Sequence, residues 1–118
     1  MPGISIHVVD VARGVVAQGM VVRINRLDGE RRTTIVQASV GASGSVAELA
    51  ALEGLFSSGV YEATFFVGDY YRERGDALPA PAFLDVVPYR FGIADAQQHY
   101  HLPFKLTPWG FSCFRGGA

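Results

Sequence analysis

An all-β fold, two sheets packed as a sandwich with one short helix, follows from three features of the 118-residue chain. Short runs of β-branched and aromatic residues recur at near-regular intervals. Several alternate apolar with polar residues, as strands do when one face meets a core. Residues 99–107 and 110–115 alternate around Pro108-Trp109 in the manner of a hairpin.

Ile4-Ser5-Ile6-His7-Val8-Val9-Asp10 reads as the first strand, and Arg13-Gly14 as a turn. Met20 to Asn25 forms the second strand. Asp28-Gly29 is a hairpin signal, so Arg31 to Ala38, rich in Thr, Val and Ile, is the return strand. Gly41 to Ser45 is a loop, and Ala47 to Leu55 has helical composition. Val60 to Phe66 is again a strand. Gly68 to Gly75 supplies one or two helical turns, with Asp69 near the start and Gly75 as the stop. Ala80 to Phe91 leads into an edge strand, because Pro88 has no N–H to give to a ladder.

Apolar residues make up 49% of the chain, which is long enough for one core and too short for two. Residues 1–118 are therefore expected to form a single domain. The net charge of −1, without any block of like charges, argues against nucleic acid or a membrane surface as partner. Cys113 is the single cysteine, which excludes an internal disulfide and suits a reducing cytoplasm. Met1-Pro2-Gly3-Ile4 lacks the basic and apolar regions of a secretory signal, and no apolar run approaches a bilayer span.

Strand parity selects the candidate chemistry. Ser5, His7 and Val9 share one face of the first strand. His99, His101, Pro103 and Lys105 share one face of the strand at 99–107. A face bearing histidines and a lysine is a poor core and must meet water, a partner or a ligand. Cys113 is out of phase with Ser112 and Phe114 and reads as a structural thiol. His99-x-His101 has no third ligand pattern beside it, so no metal site is assigned. There is no glycine-rich phosphate loop and no Gly-x-Ser-x-Gly elbow.

Three separated blocks carry a resemblance. His99-Tyr100-His101-Leu102-Pro103 continues through Thr107-Pro108-Trp109-Gly110-Phe111-Ser112 to Phe114-Arg115-Gly116-Gly117. Ile4 to Gly14 follows an L-S-x-H-V-L-D-x-x-x-G pattern. Gly68-Asp69-Tyr70-Tyr71 precedes Phe83 to Pro88 and Phe91 to Asp95. In this order the blocks resemble the transthyretin-related 5-hydroxyisourate hydrolases.

The resemblance implies a transthyretin-like sandwich and a homotetramer whose sites lie where two dimers meet. It implies hydrolytic ring opening of a small purine-derived heterocycle in urate catabolism, without metal or organic cofactor. By its motifs His7 and His101 are the catalytic pair, His99 has no assigned chemistry, and Arg115 helps line the pocket. Ser45 stands at the family's arginine position and Ser43 at its aspartate position, while Phe114 and Gly117 replace a tyrosine and a serine. Ser5, Ser45, Gly117 and Lys105 complete the expected substrate-binding set, with Lys105 supplying positive charge. The alternatives are a relative acting on another small cyclic substrate in a specialised biosynthetic pathway, and a non-catalytic binder using the same channel. For Ala47 to Leu55 the family comparison suggests loop with a short strand.

Overall fold

The computed structural model describes residues 2–117. Its strands are β1 (Gly3–Asp10), β2 (Val15–Val16), β3 (Val21–Asp28), β4 (Arg31–Ser39), β5 (Gly59–Phe66), β6 (Val86–Ile93), β7 (His99–Thr107) and β8 (Gly110–Cys113). They form two four-stranded sheets, in the orders β2-β1-β7-β8 and β4-β3-β5-β6. One α-helix, α1 (Val67–Glu73), follows β5 directly.

Alternation explains how each sheet meets the other. Ile4, Ile6 and Val8 of β1 and Leu102, Phe104 and Leu106 of β7 are buried. Val22 and Ile24 of β3 and Tyr61, Ala63 and Phe65 of β5 are buried with them in one core. Phe65 and Phe104 stack across the two sheets, ring centroids 3.8 Å apart and planes 5° from parallel. Apolar contact of this kind holds the sheets face to face, and it leaves the intervening residues of β1 and β7 pointing outward.

The β3–β4 hairpin turns at Asp28-Gly29, with Gly29 at φ 63, a conformation glycine reaches without a Cβ clash. Pro88 lies on β6, which pairs with β5 alone and forms the sheet edge, where a residue without an N–H is tolerated. Among the described residues no helix is long and apolar enough to cross a membrane.

Three local expectations are revised. Ala47–Leu55 winds as a 3-10 helix rather than a loop with a short strand. Its Ala, Glu and Leu content favours helical turns, and buried Leu49 fastens them to the core. Val15–Val16 forms a short strand against Val9 and Asp10, too brief to leave a periodicity. β8 stops at Cys113, two residues before the expected end of the hairpin.

The first strand ends on a buried charge. Asp10 is fully inaccessible and accepts hydrogen bonds from the Tyr70 and Tyr71 hydroxyls at 2.9 and 2.8 Å. The Arg13 main-chain N–H adds a third at 3.3 Å, and its guanidinium lies 3.6 Å away. Burial first, and then donation to Asp10, pushes both phenols above their ordinary pKa. A carboxylate so placed needs every donor it has. Tyr71→Phe is expected to destabilise the fold by about 1.5–3 kcal/mol, as for loss of a hydrogen bond to a charged group. Equilibrium urea unfolding measures this.

Candidate active site

The two central strands of the first sheet, β1 and β7, run parallel, and their register brings the outward groups together. Ser5 lies opposite His101, His7 opposite Pro103, and Val9 opposite Lys105. The Ser5 hydroxyl is 2.7 Å from His99 Nε2 and 2.7 Å from His101 Nδ1. Parity alone predicted shared faces. Parallel pairing turns two faces into one site.

Two backbone segments close over this face. The loop at 41–45 docks beside β1, where Val8 N–H donates to Gly44 O at 2.9 Å and His7 Nε2–H to Ser43 O at 3.1 Å. Ser45 forms an isolated bridge with His7. Gly44 sits at φ 87, and a Cβ there would stand 2.6 Å from His7 Nε2. Beyond β8, Gly116 N–H donates to His101 O at 2.6 Å. A Cβ on Gly116 would meet His101 Cδ2 at 2.8 Å. Close approach to an imidazole demands both glycines, and at Gly44 the positive φ demands it as well.

His101 is half-buried. Burial is the main cause holding its pKa below the ordinary 6.5, and the neighbouring His7 and His99 rings reinforce it, while contact with Ser5 opposes it. A histidine held this way is neutral at neutral pH, and one nitrogen keeps a lone pair able to take a proton. Next to Ser5 and His99, a concavity of about 380 Å³ is lined by these two residues with Ser45, Val46, Ala50 and Glu53, among others; the His7 and His101 side chains are not on its lining. Among the described residues Glu53 is the only charged side chain on that lining.

The remaining expected site residues separate. Arg115 lies with its guanidinium carbon 3.9 Å from the centre of the Tyr100 ring and donates to Gln98 Oε1 and His99 O, each at 3.1 Å. Tyr100 is a buried, core-facing residue of β7, so this guanidinium is engaged away from the outward His101 side chain. Two residues on from the core-facing Cys113, Arg115 follows the parity of β8 rather than the motif's implication. Lys105 is exposed on the expected face but stands four residues along β7 from His101, about 13 Å at strand rise. It lines a different concavity, with Val11, Thr107 and Phe111. Gly117 is exposed and has open space where a side chain would be. Cys113 packs against the core, where burial pushes its thiol up to about 11. It is an inert position for a nucleophile.

Gly116 and the Ser43 carbonyl were not singled out from sequence. Main-chain groups leave no residue-type signal, and only the docking of loop and tail reveals them.

With the fold and this geometry in place, comparison with known proteins gives a consistent answer. The HIUase/Transthyretin family profile matches residues 4–116, and the chain belongs to that family. It is 45% identical to 5-hydroxyisourate hydrolase 2 of Rhizobium meliloti, covering 96% of this chain and 94% of that protein. The solved 5-hydroxyisourate hydrolase of Klebsiella pneumoniae superposes with a TM-score of 0.80 at 28% identity, covering 99% of this chain and 94% of that one. A crystal structure of (S)-allantoin synthase superposes with a TM-score of 0.84 at 31% identity. It covers 98% of this chain, which spans only 43% of that larger protein.

Gly44→Ala tests whether the loop sets His7. The substitution adds a Cβ inside contact distance of Nε2 and strains the backbone. A hydrolysis rate reduced at least about 10-fold is expected from displacing the His7 imidazole, with circular dichroism still reporting the sandwich.

Proposed function

We propose that this chain is a hydrolase of the 5-hydroxyisourate type, opening the ring of a small purine-derived heterocycle in urate catabolism. The observation that carries the reading is the His101 imidazole, held by Ser5 at 2.7 Å on a face shared with His7. The high identity to a named hydrolase over nearly the whole chain supports it.

In the proposed reaction, His101 removes a proton from water as the oxygen adds to a ring carbonyl carbon. The C–N bond of the ring then breaks, and the departing nitrogen receives the proton back from the imidazolium. His7 Nε2–H, fixed by Ser43 O, leaves its Nδ1 available to hold the water or substrate. Ser5 and Ser45 border the substrate's space, and Gly117 lies outside it. Arg115 serves from outside, pinning the tail that brings Gly116 onto His101. Lys105 lies outside this group. No metal or organic cofactor enters these steps.

A homotetramer with the sites at the dimer–dimer interface completes the proposal. On one protomer Val11, Val15, Trp109 and Phe111 are each 46% exposed or more, an apolar surface that association would cover. Sedimentation equilibrium is expected to give four times the chain mass. A monomer at micromolar concentration would remove the shared channel. A cytoplasmic location suits the unpaired Cys113.

One observation favours a second reading. Ser45 occupies the position where the family has arginine, and Glu53 is the sole charge lining the adjacent concavity. This setting favours a neutral cyclic amide over an anion. The deciding assay follows absorbance decay of 5-hydroxyisourate generated in situ by urate oxidase. Acceleration over spontaneous decay, falling by about 10²–10⁴-fold in His101→Ala, is the expected result. Activity should rise with pH through a midpoint on the acid side of 6.5, because burial lowers the pKa of the base. A folded tetramer without acceleration would shift the assignment to another cyclic substrate.

A further inference from the structure

His99 has no role in the reaction above, yet its ring is fixed at both nitrogens. Nδ1 lies 3.2 Å from Pro2 O, and Nε2 lies 2.7 Å from Ser5 Oγ. The same Oγ lies 2.7 Å from His101 Nδ1. With both rings neutral, these three contacts fix where the protons are.

A carbonyl oxygen can only accept, so His99 Nδ1 carries a proton. In a neutral His99 the other nitrogen is then a bare lone pair, and the Ser5 hydroxyl must donate to it. A hydroxyl has one proton, now spent on His99. The second short contact forms only if His101 Nδ1–H donates to Ser5 Oγ. His101 Nε2 is left unprotonated, and no partner accepts or donates there among the described residues. The chain of donation runs from His101 through Ser5 and His99 to the Pro2 carbonyl.

We propose that Ser5 and His99 are positioning residues that lock His101 as its Nδ1–H tautomer, leaving Nε2 free to take a proton from water. This rests on the reading of His101 as the base. It extends that reading by assigning a task to His99 and Ser5, and by naming the reacting nitrogen. Without the relay, the opposite tautomer would place a proton on Nε2, and that nitrogen could not act as a base. The device also avoids a buried carboxylate. A serine hydroxyl, an imidazole and one main-chain carbonyl orient the ring, with no carboxylate among them.

The ring tautomers can be read directly by two-dimensional proton–nitrogen NMR of the imidazoles, at about pH 8 where unperturbed histidines are neutral. The intact protein is expected to show a protonated Nδ1 and an unprotonated Nε2 on both His99 and His101. Ser5→Ala should move His101 toward the Nε2–H form. It should also lower kcat by about 10-fold or more, a part of what a positioned base contributes, with KM nearly unchanged. Ser5→Thr keeps the hydroxyl on a side chain suited to a strand, and should restore both the tautomer and most of kcat.

An Nε2–H tautomer on His101 of the intact protein would overturn the proposal. So would an Nδ1–H tautomer that persists in a folded Ser5→Ala variant. The spectra do not depend on turnover, so failure to hydrolyse 5-hydroxyisourate would count against the activity and leave the relay to be judged by the tautomers.

Discussion

The parallel pairing of β1 with β7 is the constraint on which the site depends. Antiparallel neighbours can be joined by a short turn, whereas parallel neighbours must be brought together by the fold around them. Here residues 11–98, most of the chain, lie between the two strands, and their eight-residue register runs from Gly3↔His99 to Asp10↔Leu106. A slip of one residue would turn Ser5 and His7 toward the core and Ile4 and Ile6 toward water. The register is therefore held by the same apolar residues that join the sheets. At its far end, Asp10 and its two tyrosines anchor β1 against α1, which ties the strand carrying Ser5 and His7 to the opposite sheet.

The two outer faces of the sandwich show what a site requires beyond polar residues. On the β4-β3-β5-β6 sheet, Glu62 is paired with Arg32 at 2.7 Å and Arg90 at 3.3 Å. Donation from Arg32 is the main cause of its lowered pKa. Asn25 accepts from Thr34 at 2.8 Å, and Arg23 donates to Gln37 at 2.9 Å. These groups satisfy one another and leave little free chemistry. On the β2-β1-β7-β8 sheet, the contacts of Ser5, His99 and the Pro2 carbonyl form a chain that ends on one nitrogen of His101, and its far nitrogen stays available. Saturated polar surface is structural. Polar surface with one group held open can react.

Much of this was legible from residues alone. Alternation in Ile4–Asp10 and His99–Thr107 placed Ser5, His7, His99 and His101 outward, and side-chain parity is a local property that tertiary context did not override. The missing N–H of Pro88 placed its strand at an edge. Composition also separated strand from helix around Val67–Glu73. Arg115 and Lys105 were harder. Parity put Lys105 on the right face and said nothing of its distance from His101 along the strand. Motif resemblance placed Arg115 in the pocket, while the end of β8 and the Tyr100 ring drew it to the other side.

The sequence by itself determined an all-β sandwich, its family, and which side chains leave the core, because hydrophobic period and steric turn preferences act over a few residues at a time. Tertiary structure alone decided that Ser5 meets two imidazoles, that the Ser43 carbonyl holds His7, and that Gly116 closes on His101. Each of these joins residues at least 36 positions apart or uses main-chain groups identical in every residue. Gly116 lies only 15 residues from His101, yet a bond between main-chain groups of the two residues is what brings it against the ring. No local pattern encodes such contacts; they exist only once the sheets have packed and the strand register is set.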